Sequence, residues 1–326
     1  MAGFKAYVSD YDYPDLAIEK SVLGTIGAEV IGLHCKTGHG LAELAADADV
    51  ILQQYAKIPR ETLAKLKRCK GICRYGIGLD IVDVKAAYEH GMVVTNVPDY
   101  CLDEVADHAI ALAFMLIRRI PMYVRGAREG HWHWSVGGRL PSRYRDLTWG
   151  SIGFGRIAQN TTHKLKPFGF TVLAYDPIVS AGYMRACGVQ KVSLDDLLSR
   201  ADVVNVACPH TPETFHLINE ATLRKMRPHA VLVNCARGKI VDNAALYKAL
   251  EQGWIASAGL DDPEEEPAKL DTWSPQNNPL FGLENCIITP HVAYVSEGSL
   301  RECRRTAAEN ARAILLGETP PNLVRP

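Results

Sequence analysis

The sequence predicts an α/β fold made of two doubly wound units, each with helices on both faces of a mainly parallel sheet. Short apolar runs rich in β-branched residues alternate with helical patterns along almost the whole chain. These runs lack the strict alternation of a half-exposed strand, as expected when both faces of a parallel sheet are buried. In each half a glycine-rich turn follows a strand pattern, at residues 76–78 and 153–158. The chain of 326 residues is long enough for about two such domains.

The predicted strands form two series. In the first half they cover residues 5–9, 28–33, 49–54, 70–75 and 92–97. In the second half they cover residues 148–154, 170–176, 202–207, 230–235, 254–261 and 286–290. Helices are predicted between them, including one over 59–68, where Pro59 suits a first turn, and a buried one over 109–117. Asp242 is a suitable N-cap for a helix over 243–252.

The charge and the cysteine content argue against a nucleic-acid-binding, membrane or secreted protein. The 37 acidic and 36 basic residues nearly cancel, so no overall field favours nucleic acid or a membrane surface. The longest apolar run, 109–117, is shorter than the roughly 20 residues that a membrane span needs. No export signal is visible, and the nine scattered cysteines form no disulfide pattern. We therefore expect a cytoplasmic protein whose partner is a small polar molecule.

The Trp-rich string HWHW at 131–134 places two histidines, which are potential metal ligands, close together. His131 and His133 are two residues apart, which suits neither a helical metal site nor a Cys/His finger. We predict no metal, and we interpret this string as a surface arm or an oligomer contact.

The second glycine-rich turn is typical of dinucleotide binding. Gly153-x-Gly155-x-x-Ala158 follows a strand directly and begins a helix that is predicted to run to about Phe168. Gly153 permits the turn, Gly155 lets a pyrophosphate approach the backbone, and Ala158 allows close packing of helix on strand. The next strand ends in Asp176, whose carboxylate can accept hydrogen bonds from ribose hydroxyls and would repel a 2′-phosphate. The sequence thus favours NAD over NADP.

The first glycine-rich turn is a weaker signal, because Ile81 stands where a third small residue would be expected. One interpretation is a tight turn between strand and helix. The other is a nest of backbone N–H groups that binds a small anion such as a carboxylate.

Three later strands each end in a polar residue that can take part in catalysis. These residues are Arg237, a carboxylate from the acidic run 261–266, and His291. The carboxyl ends of the strands are where open α/β sheets bind ligands. Arg can bind a substrate carboxylate, His can transfer a proton near neutral pH, and a carboxylate beside His stabilises its charged form. Together with NAD, this set predicts hydride transfer between a 2-hydroxy acid and a 2-keto acid.

These residues lie in motifs that resemble those of the D-2-hydroxyacid dehydrogenases over nearly the whole chain. The resemblance is carried by GIGLDIVDVKAAYEHGMVVTNVPD, GFGRIAQ, AYDP, HTPETFHLIN, NCARGKIVD, EEEP and TPH. It implies that Arg237 is the catalytic arginine, that His291 is the acid/base, and that Glu266, just before Pro267, orients the imidazole. It also implies that Asp261 accepts a hydrogen bond from the nicotinamide carboxamide. In reduction, protonated His291 would give its proton to the developing alkoxide.

By the same resemblance, backbone N–H groups near Ile77 and Gly78 bind the substrate carboxylate. We assign the cofactor contacts to the following residues: Gly153, Gly155, Arg156, Ile157, Asp176, Cys208, Pro209, Cys235, Ala236 and Asp261.

The resemblance also implies a discontinuous domain organisation. The substrate-binding domain, flavodoxin-like and the smaller of the two, would comprise residues 1–98 and 297–326. The Rossmann NAD-binding domain would comprise residues 99–296. An arm at about 118–146 would join two copies of the chain as a homodimer.

The sequence departs from the family pattern at some positions, and these bear on the alternatives. Asp262 and Pro263 stand where many members have Val-Phe, and we expect Asp262, Glu264 and Glu265 to be solvated loop residues. Residues 53–55 lack the Arg with which 3-phosphoglycerate dehydrogenases bind the phosphate, which favours an unphosphorylated substrate. A D-3-phosphoglycerate dehydrogenase nevertheless remains an alternative, as does an NAD(H)-sensing corepressor similar to the C-terminal-binding proteins, which retain the same Arg, Glu and His.

Overall fold

The computed structural model describes residues 3–270 and 272–326, and it divides into two compact units. The first unit comprises Met1–Cys101, Ala268–Thr272 and Val295–Pro326. The second comprises Leu102–Pro267 and Trp273–Tyr294. The short segment Ala268–Thr272 belongs to the first unit, which the sequence did not indicate. Lys269 Nζ lies 2.9 Å from the Asp80 carboxylate, and this ion pair holds the segment in the first unit.

The first unit contains a six-stranded sheet in the order β2-β1-β3-β4-β5-β13. Its strands, numbered along the whole chain, are β1 (Lys5–Val8), β2 (Glu29–Gly32), β3 (Val50–Gln53), β4 (Gly71–Arg74), β5 (Val93–Thr95) and β13 (Leu323–Val324). The first five are parallel, and β13 pairs with β5 in the antiparallel sense. Side chains of the central strands enter two separate apolar clusters, so both faces of this sheet are covered, as the apolar runs predict.

Five helices accompany this sheet. They are α1 (Ala17–Gly24), α2 (Leu41–Leu44), α3 (Arg60–Leu63), α4 (Val84–Glu89) and, from the far end of the chain, α12 (Glu297–Leu316). Asp83 caps α4 by accepting a hydrogen bond from the Ala86 N–H at 2.8 Å. The prediction of one helix over 59–68 was wrong, because α3 ends at Leu63. Beyond Ala64 the N–H groups of Lys65, Leu66 and Cys69 bond carbonyls three residues back, which forms turns instead of an α-helix.

The second unit contains a seven-stranded parallel sheet in the order β8-β7-β6-β9-β10-β11-β12. Its strands are β6 (Thr148–Ile152), β7 (Thr171–Tyr175), β8 (Gln190–Lys191), β9 (Val203–Val206), β10 (Val231–Asn234), β11 (Ser257–Leu260) and β12 (Cys286–Ile288). The chain starts at the central strand β6, winds outward to β8, and then winds the other way from β9. This reversal next to β6 is the switch point at which doubly wound sheets bind ligands.

The helices of the second unit are α5 (Leu102–Ile117), α6 (Ile120–Arg128), α7 (Arg156–Leu165), α8 (Ala181–Ala186), α9 (Leu194–Arg200), α10 (Glu220–Leu223) and α11 (Asn243–Glu251). The apolar run 109–117 forms the buried part of α5, as predicted. Asp242 caps α11 through the Ala245 N–H at 3.0 Å, also as predicted. Among the described residues, no helix combines the length and hydropathy that crossing a membrane would require.

Candidate active site

The turn between β6 and α7 brings the backbone to a place where only glycine fits. Gly153 has a φ of 93°, and a Cβ added there would lie 2.7 Å from the carbonyl oxygen of Ala207. Gly155 is the N-cap of α7, and a Cβ at that position would meet only open space. The buried Ala158 permits the close packing that the sequence indicated. The first turn of α7 is thus open to an anion, which fits the pyrophosphate of a dinucleotide.

Asp176 follows β7, and its carboxylate holds the neighbouring backbone in place. It accepts hydrogen bonds from the N–H groups of Phe154 at 2.9 Å, Ile178 at 2.8 Å and Val179 at 2.9 Å. Burial works to raise the pKa of this carboxyl, but the hydrogen bonds from Val179, Phe154 and Ile178 outweigh it and lower the pKa below the usual value. Asp176 is therefore an anion at neutral pH, and a carboxylate has enough lone pairs to accept ribose hydroxyls as well.

The other predicted cofactor contacts lie at the same edge of this sheet. Arg156 and Ile157 begin α7, whereas Cys208 and Pro209 follow β9, and Cys235 and Ala236 follow β10. Burial raises the pKa of the Cys208 thiol to about 11, so this thiol is neutral at physiological pH. Because the carboxyl ends of parallel strands meet at one edge, all these positions surround the switch point.

Arg237 lies in a tight loop after β10 that is fixed by Asn234. The Asn234 side chain donates to the carbonyl of Arg237 at 2.8 Å and accepts from the N–H of Ala236 at 2.9 Å. The Arg237 guanidinium donates to the Ala236 carbonyl at 2.8 Å and is half-buried. Asn234 is a positioning residue that the sequence analysis missed, although it belongs to the motif that contains the arginine.

Gly238 holds this arginine loop against the acidic segment. A Cβ at Gly238 would lie 2.1 Å from the carbonyl oxygen of Pro263 and 2.7 Å from the N–H of Glu264. Any side chain would therefore separate the two loops. Lys239, next along the chain, lies with its Nζ 3.0 Å from Oε2 of Glu266. The sequence analysis missed this pair as well.

Glu266 and His291 both have backbone conformations that residues with a side chain adopt rarely. Their φ angles are 52° and 56°, in the left-handed region. Glu266 is buried, and its N–H bonds the carbonyl of Pro263 at 2.9 Å. The N–H of His291 bonds the carbonyl of Asp261 at 2.6 Å. Such backbone strain concentrates at functional sites, where it fixes a side chain in a required position.

Asp261 ties the end of β11 to the segment that carries His291. Its buried carboxylate accepts hydrogen bonds from the Thr289 hydroxyl at 2.7 Å and from the N–H groups of Val292 at 2.9 Å and Ala293 at 2.8 Å. His108 Nε2 lies 2.9 Å from the same hydroxyl. These bonds leave lone pairs for one more donor, so the nicotinamide assignment of Asp261 stays a prediction.

The expectation that Asp262 and Glu264 are solvated was wrong. Asp262 is only 5% exposed, and its Oδ2 lies 3.3 Å from Nδ1 of His291. Glu264 is half-buried and pairs with Nε2 of His216 at 2.5 Å. Glu265 is exposed and accepts hydrogen bonds from two asparagine side chains. The acidic run thus places a second carboxylate beside the predicted acid/base histidine.

In the first unit, the turn after β4 presents free backbone donors. Within the described chain, the N–H groups of Ile77 and Gly78 donate to no protein acceptor. The Asn96 side chain donates to the Ile77 carbonyl at 2.9 Å. Because C=O and N–H of one peptide point in opposite directions, this bond turns the Gly78 N–H away from Asn96.

A buried arginine lies beneath that turn. The guanidinium of Arg74 donates to the carbonyls of Gly78 at 3.1 Å and of Tyr75, and it packs against Gly76, whose φ is 136°. Arg74 is 8% exposed and forms no salt bridge with any carboxylate in residues 3–270 and 272–326. A buried cation without a counter-ion is costly, and it gives this turn a positive potential that attracts an anion.

In the second unit, the turn that fits a dinucleotide and the side chains predicted to transfer a proton share one edge of one sheet. Such a unit belongs to a dinucleotide-dependent oxidoreductase.

Comparisons with known proteins place the chain more narrowly. Residues 110–293 match the sequence profile described as "D-isomer specific 2-hydroxyacid dehydrogenase, NAD binding domain". The chain is 38% identical to a glyoxylate reductase of Korarchaeum cryptofilum over 87% of its own length and 85% of that protein. It is 35% identical to a D-3-phosphoglycerate dehydrogenase of Methanocaldococcus jannaschii, of which it spans 54%.

A crystal structure of D-lactate dehydrogenase from Aquifex aeolicus, complexed with NAD and lactic acid, superimposes with a TM-score of 0.88. The two chains are 28% identical, and the superposition covers 98% of each. The protein belongs to the D-isomer-specific 2-hydroxyacid dehydrogenase family. It is an NAD-dependent enzyme that interconverts 2-hydroxy acids and 2-keto acids.

Proposed function

We propose that this enzyme acts on a small, unphosphorylated D-2-hydroxy acid and its 2-keto acid, with Arg237, Glu266 and His291 as catalytic residues. The observation that carries this proposal is the pair of strained residues, Glu266 and His291, at positive φ. They flank the strand ends next to the arginine loop, which Gly238 holds against the acidic segment. Neither residue is a glycine, which would adopt such a φ without strain, and a requirement for fixed side chains accounts for these conformations.

In the reducing direction, NADH supplies the hydride when bound. Arg237 binds the carboxylate and carbonyl oxygens of the 2-keto acid, because its guanidinium offers two parallel donors. Protonated His291 donates a proton from Nε2 to the developing alkoxide, since its Nδ1 lies against Asp262. Glu266 is a fixed negative charge that favours the protonated imidazole.

For the substrate carboxylate we propose a second set of donors, the N–H groups of Ile77 and Gly78. Their lack of a protein acceptor in the described chain and the buried charge of Arg74 support this role. Backbone N–H groups with a cation behind them form an anion site whose geometry does not depend on a mobile side chain.

An unphosphorylated substrate is supported by the loop after β3. The buried carboxylate of Asp10 accepts the backbone N–H groups of Gln54 at 3.2 Å, Tyr55 at 2.5 Å and Ala56 at 3.2 Å. Because these N–H groups already donate to the Asp10 carboxylate, they are not available to bind a phosphate. A phosphate at this loop would meet the charge of Asp10, and residues 53–55 themselves include no arginine. Both points weaken the D-3-phosphoglycerate dehydrogenase alternative.

We also propose that the enzyme is a homodimer and that it is located in the cytoplasm. Large apolar side chains in the arm at about 118–146 are exposed, including Trp132 at 87% and Trp134 at 61%, and a second copy would cover them. None of the nine cysteines, all of which lie in the described part of the chain, forms a disulfide, as is typical of a reducing compartment.

The substrate is tested by following NADH absorbance with glyoxylate, hydroxypyruvate, pyruvate, larger 2-keto acids and 3-phosphohydroxypyruvate. We expect saturable turnover with at least one small unphosphorylated compound. The substitution His291→Ala should lower kcat by ~10²–10⁴ because it removes the proton donor, while the affinity for NADH stays within about twofold of the wild type.

Two outcomes would count against the proposal. Higher kcat/KM with the phosphorylated compound than with all the others would favour the phosphoglycerate alternative. Near-normal turnover by the His291→Ala variant would remove His291 from the acid/base role.

A further inference from the structure

Asp262 is a buried carboxylate that, in the part of the chain that the structure describes, has one polar group close to it, the imidazole of His291. It lies between the end of β11 and Pro263, and its side chain is 6% exposed. Neither carboxylate oxygen accepts a hydrogen bond from any of the described residues. The distance of 3.3 Å between its Oδ2 and Nδ1 of His291 is the one close polar contact that the described chain gives it.

A buried carboxylate without hydrogen bonds is unfavourable by itself. Opposite a protonated imidazole at 3.3 Å, however, the same carboxylate gains a strong electrostatic interaction, because low polarity strengthens the attraction between the two charges. Asp262 is therefore stabilised most when His291 is protonated, and the protonated form of His291 is stabilised in return.

The other charged groups near this pair already have partners of their own. The Asp261 carboxylate bonds the hydroxyl of Thr289 and two backbone N–H groups, and Glu266 pairs with Lys239 at 3.0 Å. The further titratable side chains of these segments are Arg237, Glu264, Glu265, His108, His216 and Tyr294. The ring of Tyr294 meets the imidazole edge to face, with 5.8 Å between centroids.

We propose that Asp262 is a second carboxylate of the proton-transfer site, a positioning residue whose charge faces Nδ1 of His291 and favours the protonated imidazole. This inference rests on the proposed role of His291 and extends it. Asp262 transfers no proton itself. In mildly alkaline solution it favours the protonated form of His291, which is the proton donor in keto acid reduction. This effect adds to that of Glu266.

The test compares the pH dependence of wild type and Asp262→Asn, which keeps the shape and removes the charge. We measure kcat/KM for the 2-keto acid at saturating NADH. The variant and the wild type should differ least at low pH, where the imidazole is protonated in both. On the alkaline side the variant should be about tenfold slower, because loss of an opposite charge within 4–6 Å moves a titration by about one pH unit or more. The rise of hydroxy acid oxidation with pH should move to lower pH by the same amount.

Glu265→Gln is the matched control, since it removes one carboxylate from the same segment at an exposed position. Its profile should superimpose on that of the wild type. An Asp262→Asn profile that also superimposes would overturn the role of Asp262 and leave the proposed function intact. Should Asp262→Asn fold poorly, Asp262→Val also removes the charge and provides the same comparison.

A second measurement does not depend on turnover. The ring nitrogens of His291 in the NADH complex can be titrated by ¹⁵N NMR, with His291→Gln to assign the signals. We expect deprotonation at lower pH in Asp262→Asn than in the wild type, together with a changed Nδ1 shift. Equal titrations in the two proteins would refute the proposal, even if no tested 2-keto acid were a substrate and the proposed function had failed.

Discussion

At the scale of single residues, the candidate site contains groups that are expected to lower the stability of the fold. Glu266 and His291 have strained backbones, worth about 1–3 kcal/mol each. Among the described residues, Arg74 is buried without a carboxylate partner, and the buried Asp262 carboxylate accepts no hydrogen bond and has only the His291 imidazole close to it. Four unfavourable features within predicted binding and catalytic segments indicate that these positions are retained for function and not for stability.

Arg74 allows this reasoning to be tested. Replacement by Met fills the same space without the charge. Relief of the buried charge and loss of the hydrogen bonds to Tyr75 and Gly78 oppose each other, so the free energy of unfolding should change by no more than about 1 kcal/mol. The KM for the 2-keto acid should increase about tenfold, equivalent to about 1.4 kcal/mol of lost binding, because the positive potential behind the N–H groups is lost. The KM for NADH should not change. Steady-state kinetics and urea unfolding measure these three quantities.

Arg74→Lys is the informative companion variant. It keeps the charge, but an ammonium cannot bridge the carbonyls of Tyr75 and Gly78 in the way a planar guanidinium does. An intermediate KM would show that charge and geometry both contribute. An unchanged KM in Arg74→Met would mean that the guanidinium only supports the loop.

Sequence reasoning located the candidate catalytic residues because their neighbours are distinctive, but it could not locate the residues that orient them. Arg237 and His291 follow strands directly and were therefore assignable. The burial of Asp262 depends on Gly238, which packs on Pro263 from a loop 25 positions earlier in the chain. An acidic run looks solvated in a sequence, since nothing local shows that the neighbouring loop closes over it.

At the scale of secondary-structure elements, strands were easier to predict than short helices. Of the thirteen strands in the described chain, eleven lie within three residues of the predicted ends, because most of them are continuous apolar runs. The two-residue strands β8 and β13 were not predicted. The region 59–68 has good helix formers, yet α3 ends after one turn. Its buried residues Leu63, Leu66 and Cys69 recur every three positions, which matches the turns that follow α3 and not an α-helical face.

The C-terminal helix α12 is fastened to the first unit by a buried ion pair. Arg304 donates to both carboxylate oxygens of Glu19, at 2.9 and 2.7 Å, and Glu19 is fully buried. The Tyr75 hydroxyl donates to the same carboxylate at 3.1 Å, and burial followed by the charge of Glu19 raises the pKa of Tyr75 well above its usual value. The hydrogen bonds to Glu19 also raise the pKa of Arg304, although burial opposes them.

We expect Arg304→Met to lower the free energy of unfolding by about 3–5 kcal/mol, because it leaves the Glu19 carboxylate buried and unpaired. Chemical denaturation followed by circular dichroism measures the loss. NADH binding should persist in the variant at moderate temperature, since the dinucleotide turn is part of the other unit.

The double variant Arg304→Met with Glu19→Leu separates two explanations. Removal of both charges should restore most of the lost stability, as apolar replacements of a buried pair often do. If the double variant is as unstable as Arg304→Met alone, packing of the arginine stem against its neighbours, and not the stranded charge, is what holds α12.

At the scale of the whole molecule, the arm at about 118–146 is the surface that we propose to form the dimer contact. Helix α6 and the residues after it expose several apolar side chains, namely Ile120, Val124, Trp132, Trp134 and Leu140. A monomer in water would leave this patch uncovered.

We therefore expect the wild type to elute and scatter light as a particle of twice 35.8 kDa. Trp132→Ser combined with Trp134→Ser should shift the protein toward the monomer by removing the two most exposed aromatic side chains of the arm. Ile178→Ser serves as the control, because Ile178 is 90% exposed but lies outside the arm. A monomeric wild type, or dissociation by the control alone, would contradict the assignment of the arm.

The pairing of the first and last segments of the chain also sets an order of events during synthesis. All residues of the second unit, which ends at Tyr294, have been polymerised before α12 exists. Until then, one face of the sheet formed by β1, β3 and β4 lacks its cover of Cys303, Ala307 and Ala311. The second unit therefore has all its residues earlier than the first, and the first unit stays open and exposed to chaperones until Arg304 reaches Glu19 across 285 positions of sequence.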